Sequence, residues 1–368
     1  MPESRKVKTD KGFLFDYFNC LRSEYAKNEC TLCIDLCPEG AMVFDRKSLT
    51  LDPVKCTSCA ACMGVCPTEA FGDELFDAER FVIAFAEEEG DALSCRREDL
   101  PCLSALSPEH LIAAVLRKES DVVCETGRCG ACEVNRTGTV LSRIETIVDE
   151  ANRFLQKTGS PHRVRMADEV EIKEGVGKGD EVDESRRALF RKVAAPVAEQ
   201  KSGPDFSDLI VGDEEKQPLK RILLKKSLKK IAEDFPEDTK IDEPFEFVVG
   251  KSIDAMACTN CQECAMFCPT GALSTLQDNT GIVFQVGKCI HCAICNEICQ
   301  PRAIDNVQTF DLVDFAFDRI DLLVKHTLEI CEECKIAFPY KGGEKVCDRC
   351  KDFRNDYSDL FTMAKDLE

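Results

Sequence analysis

The sequence predicts an α+β multidomain chain with four structured parts: two small lobes built on paired cysteine motifs, a small central α/β domain, and a C-terminal four-cysteine knuckle. Three observations predict this. Cysteine motifs of one type occur in two stretches about 235 residues apart, which marks an internal duplication. Strand and helix signals alternate between Arg80 and Thr158. Two CxxC pairs lie near the end of the chain. The expected divisions are a first lobe at 11–75, a central domain at 80–158, a charged linker with helices at 160–248, a second lobe at 250–308, and a helix plus knuckle at 310–368.

In the first lobe the second motif is regular: Cys56, Cys59, Cys62, then Cys66-Pro67. Three thiolates two residues apart can wrap three corners of a cuboidal cluster. The fourth, set off by its longer spacing and the fixed φ of the following proline, reaches a neighbouring cluster. The first motif has a longer opening gap and reads Cys20, Cys30, Cys33, then Cys37-Pro38. Exchange of the last ligands groups Cys20, Cys30, Cys33 and Cys66 around one 4Fe-4S centre and Cys37, Cys56, Cys59 and Cys62 around the other. Between the motifs, alternating Met42, Phe44, Leu49 and Leu51, broken by Asp45 to Ser48, predict a small hairpin.

The central part offers Phe81 to Ala86 as a buried strand and a helix from Glu109 to Lys118 started by Ser107 and Pro108. A second strand at Asp121 to Cys124 and a helix at Thr139 to Lys157, stopped by Gly159, complete it. Cys95, Cys102, Cys124, Cys129 and Cys132 fall in or just after the strands, and the carboxyl edge of a parallel sheet is where ligands usually sit. Pro101-Cys102-Leu103, Ser107-Pro108-Glu109 and Gly127-Arg128-Cys129-Gly130-Ala131-Cys132 resemble the iron–sulfur delta subunit of methyl-viologen-reducing hydrogenase and related heterodisulfide-reductase-associated domains. That resemblance implies a further cluster, 2Fe-2S or 4Fe-4S, on Cys95, Cys102, Cys129 and Cys132. A redox-active dithiol at Cys129 and Cys132, or a zinc site, is the alternative. Cys124, inside a strand, reads as a small buried hydrophobe.

Residues 160–250 carry no cysteine. Met166 to Glu184 is acidic with no apolar period, which predicts a surface connector. Ser185-Arg186-Arg187-Ala188-Leu189-Phe190 mimics a twin-arginine export string but lacks the N-terminal position and apolar stretch such signals need, so it reads as a helix start. Six basic residues and no acid between Lys220 and Lys230 share a segment with Ile222, Leu223, Leu224, Leu228 and Ile231. A helix packed on its own protein, with its charged face solvated or neutralising acidic neighbours, is favoured over a membrane or partner helix.

The second lobe holds both motifs in regular form: Cys258, Cys261, Cys264, Cys268-Pro269 and Cys289, Cys292, Cys295, Cys299-Gln300-Pro301. The same exchange groups Cys258, Cys261, Cys264 and Cys299 around one 4Fe-4S centre and Cys268, Cys289, Cys292 and Cys295 around a second. Residues 250–305 resemble a bacterial-type ferredoxin with two 4Fe-4S clusters, a plan that 11–75 repeats. Four-cysteine zinc sites would use two CxxC pairs each and leave the third cysteine of each triplet idle. Beyond an amphipathic run at Phe310 to Leu323, Cys331, Cys334, Cys347 and Cys350 resemble a zinc ribbon, with an iron–sulfur cluster or a thiol pair as alternatives. The histidines His110, His162, His291 and His326 show no ligand spacing.

Composition narrows the function classes. Cysteine, 25 of 368 residues, is about 7% of the chain, so an apolar content of 44% falls to roughly 37% without it, and inorganic centres would staple lobes too small to fold on their cores alone. No apolar h-region precedes Cys20, and runs such as Phe81 to Ala86 and Leu111 to Leu116 fall far short of the ~18 residues of a membrane span. The expectation is a cytoplasmic protein from an anaerobic setting with no membrane span. A net charge of -20 disfavours nucleic acid and suits docking on basic redox partners. With no nucleotide fingerprint and no catalytic residue assigned, the leading expectation is an electron carrier with four 4Fe-4S clusters, a central cluster and zinc. The central resemblance implies partners of the hydrogenase, formate dehydrogenase or heterodisulfide-reductase type, with this chain as a subunit of such a complex. The alternatives are a disulfide or polysulfide reductase acting at the central cysteines, and a redox-sensing or assembly protein.

Overall fold

A computed structural model describes residues 6–8, 13–45, 48–97, 99–169, 216–236 and 238–357. Most of the expected acidic connector and the Ser185–Phe190 string lie outside the described residues. The architecture is mixed helix and strand, divided into two compact units: Met1–Asp16 with Thr31–Asp234, and Tyr17–Cys30 with Phe235–Glu368.

In the first unit, β1 (Lys6–Lys8), β2 (Phe13–Asp16) and β5 (Phe71–Asp73) form an antiparallel sheet. Phe13, Phe15 and Phe71 supply its buried face. The hairpin of β3 (Met42–Asp45) and β4 (Ser48–Leu51) pairs Met42 with Leu51, at the place the alternating pattern predicts. Two short helices, α2 (Leu32–Asp35) and α3 (Ala61–Val65), carry cysteines. α1 (Leu21–Glu24) belongs to the second unit.

Phe81 to Ala86 is helical, in α4 (Ala78–Glu87), not a strand. Asp77 caps the helix by accepting from the Arg80 N–H, and Phe81, Val82 and Phe85 share its buried face. A short apolar run fits both periods, and here the cap decides. The strand preceding Cys95 is instead β6 (Ala92–Leu93), which runs parallel to β7 (Val122–Glu125) and β8 (Val164–Ala167) in the order β6-β7-β8. β8 lies within the stretch expected as linker, so Met166 is a strand residue and not part of a connector.

The helices α5 (Pro108–Lys118) and α6 (Thr139–Lys157) form where their caps predict. Ser107 and His110 make a reciprocal capping box, and Gly159 follows α6 at φ +77. Ile112, Val115, Ile144, Phe154 and Leu155 are fully buried, each stabilising the unit by about 1.5–3 kcal/mol.

The basic segment is α7 (Leu219–Lys230), packed on α4 and α5. Its expected solvated face is partly absent, because Lys220, Arg221 and Lys225 are buried with Ile222, Leu223, Leu224 and Leu228. Their partners differ: Arg221 Nε donates to the Glu109 carboxylate at 2.6 Å, whereas Lys220 Nζ donates to the Cys66 carbonyl and Lys225 Nζ to Gln217 Oε1 at 2.6 Å. Glu69 accepts from the Leu219 and Lys220 N–H groups at 2.7 and 2.9 Å, capping the positive end of the helix.

In the second unit, β10 (Gly250–Ile253) pairs with β13 (Ile304–Val307), and β9 (Lys240–Ile241) with β14 (Phe310–Asp311). β11 (Leu273–Thr275), β12 (Gly281–Phe284) and β15 (Asp321–Lys325) form a sheet, with cysteines on α8 (Glu263–Met266) and α9 (Ile294–Ile298). Leu21 of α1 packs on Ile290 and Ile294, and Asn28 donates to the Glu297 carboxylate at 3.0 Å. The expected Phe310–Leu323 helix shortens to α10 (Leu312–Phe317), capped by Asp311 and ended by Asp318 at φ +52. The knuckle is the β16 (Leu328–Ile330) and β17 (Ala337–Pro339) hairpin with α11 (Asp348–Asp356).

Candidate functional site

Four Cys-Pro or Cys-Gln-Pro turns share one geometry. The third residue after Cys37, Cys66, Cys268 and Cys299 is left-handed: Gly40 at +55, Glu69 at +53, Gly271 at +66 and Arg302 at +53. That turn aims a following N–H back at the sulfur. Ala41, Ala70, Leu273 and Ala303 donate to Cys37, Cys66, Cys268 and Cys299 at 3.2, 3.3, 3.4 and 3.3 Å. Donors of this kind stabilise negative charge on the ligand sulfur.

The three regular triplets share a second geometry. The residues flanking the middle cysteine are left-handed in each: Ser58 and Ala60, Asn260 and Gln262, His291 and Ala293. None is glycine, so the strain is held by the surrounding fold. Alternation of hand turns successive N–H groups inward to make an anion-receiving concavity.

These turns close three cavities. One is lined by Cys37, Cys56, Cys59 and Cys62. Another is lined by Cys268, Cys289, Cys292 and Cys295. The third is lined by Cys258, Cys261, Cys264 and Cys299. Each grouping contains the cysteines that the exchanged spacing puts together. Of the remaining set, Cys20 and Cys30 are counted with the second unit and Cys33 and Cys66 with the first.

Crowding and burial oppose ionisation inside these cavities. Burial, then Cys261 and Cys295, push Cys264 up to about 12. Burial, then Cys289 and Cys268, do the same to Cys292. Cys62 is raised by burial and by Cys59, Cys33, Cys56 and Cys37. Thiols that crowd one another this closely suit a cationic inorganic core, which makes deprotonation favourable.

The central cysteines also converge. Burial raises Cys102, with Cys95 and Cys132 adding to it, and Cys129 is raised to about 11 by burial and then by Cys102, Cys95 and Cys132. Cys124 stands apart, wholly buried and raised to about 12 by burial alone. The N-terminal cavity adjoins this group. Cys102 is among the charges felt by Cys59, and Ser104 Oγ donates to the Cys59 carbonyl at 3.4 Å while lying 3.3 Å from Cys102 Sγ.

At the knuckle, the Cys331, Cys334, Cys347 and Cys350 sulfurs lie within 4.8 Å of one another. The Cys334 to Cys347 separation is 3.7 Å, close to the ~3.8 Å that a tetrahedron with 2.3 Å metal–sulfur bonds requires. Although burial raises Cys331, N–H groups of Cys347, Cys334 and Glu333 hold it down to about 6.

Two stretches, residues 28–70 and 250–300, each match the 4Fe-4S dicluster domain family. The chain holds two ferredoxin-type dicluster domains. A comparison with curated proteins returns no match. The dicluster domains support bound 4Fe-4S clusters and an electron-transfer role, and ferredoxin-type domains imply redox partners. Among the described residues no helix is long and apolar enough to cross a membrane. Sequence reasoning missed the left-handed residues, since Ala60, Gln262 and Ala293 carry no local signal for that conformation. It also missed Lys251, a buried lysine in the wall of one cavity.

Proposed function

We propose that this chain relays single electrons through a series of iron–sulfur centres between a redox enzyme and a second carrier. Cys37, Cys56, Cys59 and Cys62 would hold one 4Fe-4S centre, Cys258, Cys261, Cys264 and Cys299 another, and Cys268, Cys289, Cys292 and Cys295 a third. Cys20, Cys30, Cys33 and Cys66 are assigned a fourth on their spacing. Cys95, Cys102, Cys129 and Cys132 would hold a 2Fe-2S or 4Fe-4S centre, and the knuckle a zinc ion. When bound, the clusters supply reversible one-electron chemistry.

The observation that carries the reading is the placement of Cys59 beside Cys102 through Ser104, because a dicluster domain that stored electrons without passing them on would need no second thiol group at its edge. The protein's own residues position the sulfurs, donate N–H bonds to them and exclude water. Partners of the hydrogenase, formate dehydrogenase or heterodisulfide-reductase type rest on the central resemblance alone. Internal use of the α7 cations weakens the reading of that segment as a partner-docking helix.

Anaerobic purification with iron, sulfide and zinc quantitation and EPR during stepwise reduction tests the proposal. Cluster stoichiometry predicts on the order of sixteen to twenty irons and one zinc per chain. A total of about eight irons would overturn it. Exposure of Cys95 and Cys132 favours, as a second reading, a central site that reduces a disulfide-type acceptor. Disulfide turnover that persists in Cys129→Ala would remove that alternative.

A further inference from the structure

The two dicluster domains differ at one equivalent place beside their centres. In the first, β2 pairs with β5 so that Phe15 faces Phe71, the fifth residue after Cys66. In the second, β10 pairs with β13 so that Ile253 faces Ile304, the fifth residue after Cys299. Two residues earlier on each leading strand stand Phe13, opposite Asp73, and Lys251, opposite Asn306. Both side chains are buried, Phe13 at 4% exposure and Lys251 at 6%. Phe13 and Asp73 line the cavity of Cys37, Cys56, Cys59 and Cys62, whereas Lys251 lines the cavity of Cys268, Cys289, Cys292 and Cys295.

Lys251 is an unusual core residue. Its Nζ donates to Asn296 Oδ1 at 2.7 Å and to Asn306 Oδ1, both neutral acceptors. It shares the wall of the cavity with Cys295 and the other three cysteines. A buried ammonium without a carboxylate partner is costly unless negative charge gathers nearby. The sulfur ligands it faces provide such charge, and more of it after each added electron.

We propose that Lys251 sets the reduction potential of the centre on Cys268, Cys289, Cys292 and Cys295 above that of the centre on Cys37, Cys56, Cys59 and Cys62, where Phe13 and Asp73 occupy the corresponding positions. A fixed cation favours the reduced state of its neighbour, and an apolar wall with a carboxylate favours the oxidised state. One electron gained by the Lys251 centre is one electron lost by a donor, with no proton taken up. An electron delivered to this protein therefore rests preferentially on the Lys251 centre, and the first domain is the stronger reductant. This rests on the cluster assignment proposed above.

The test is an EPR-monitored redox titration of the full chain with its clusters, alongside iron and sulfide analysis. The signal of the Lys251 centre is identified by its loss in Cys292→Ser. In Lys251→Met, the reduced-to-oxidised ratio of that signal at a fixed potential falls at least tenfold, a shift of about 59 mV for a one-electron couple. Lys251→Arg restores it, and the remaining signals stay in place. An unchanged midpoint in Lys251→Met overturns the proposal, as does an equal shift in every signal. If Lys251→Met loses iron, Lys251→Gln decides, since it keeps a donor for Asn306 without the charge; a wild-type midpoint there overturns the proposal. Failure of the cluster assignment is distinct, because the unmodified chain would then lack the iron itself.

Discussion

A cysteine in this chain is placed for ligation by the backbone of the residues that follow it. At Arg302 and Glu69 a left-handed non-glycine residue turns the next N–H onto sulfur, the task that Gly40 performs at lower cost. Gly64 serves another need. A Cβ there would collide with the carbonyl oxygens of Ser104 and Leu106, so only glycine lets α3, which carries Cys62, approach the turn Leu103–Ala105 beside Cys102. Gly64→Ala should cost about 1–3 kcal/mol, as overpacking does, and anaerobic thermal unfolding would show the loss. An unchanged midpoint temperature would mean that the contact is loose.

At the scale of elements, α7 shows how one helix can be polar and internal at once. Arg221 and Glu109 are 1% and 2% exposed, so each needs the other. Arg221→Met should destabilise the first unit by about 3–5 kcal/mol, because it strands a buried carboxylate. The double change Glu109→Leu with Arg221→Met should recover most of that loss. Denaturant titration of the single and double variants checks this, and equal losses in both would show that packing of the arginine stem, not its charge, is what matters. The α4 segment carries the complementary lesson. Phe81, Val82 and Phe85 form a run that reads as strand or helix, and only the Asp77 cap, with α5 to pack against, selects the helix.

At the scale of the whole molecule, the proposed metal centres would stand in for a core where the apolar supply is thin. The knuckle tests this most simply, since among the described residues its buried apolar cluster contains only Cys331, Val346 and Cys347. On the proposed zinc assignment, a zinc chelator should unfold the β16 to α11 region while the EPR signals of the dicluster domains persist. Hydrogen exchange would locate the loss, and protection retained without metal would show that the hairpin folds unaided.

The sequence by itself determined which cysteines belong together in three of the dicluster cavities, because ligand spacing is a local property and the turn after each Cys-Pro or Cys-Gln-Pro is short-range. It also determined the caps of α5 and α6, which depend on residues within one turn. The tertiary structure decided the rest. The basic face of α7 went inward because Glu109 and the Cys66 carbonyl receive Arg221 and Lys220 from distant positions in the chain. Tyr17–Cys30 went to the second unit because Leu21 and Asn28 find Ile290, Ile294 and Glu297 there. The difference between Phe13 and Lys251 became visible only when two ladders, far apart in sequence, set them at the same place beside equivalent sulfurs. Charge and burial around a centre are properties of what surrounds it in space, and spacing along the chain does not encode them.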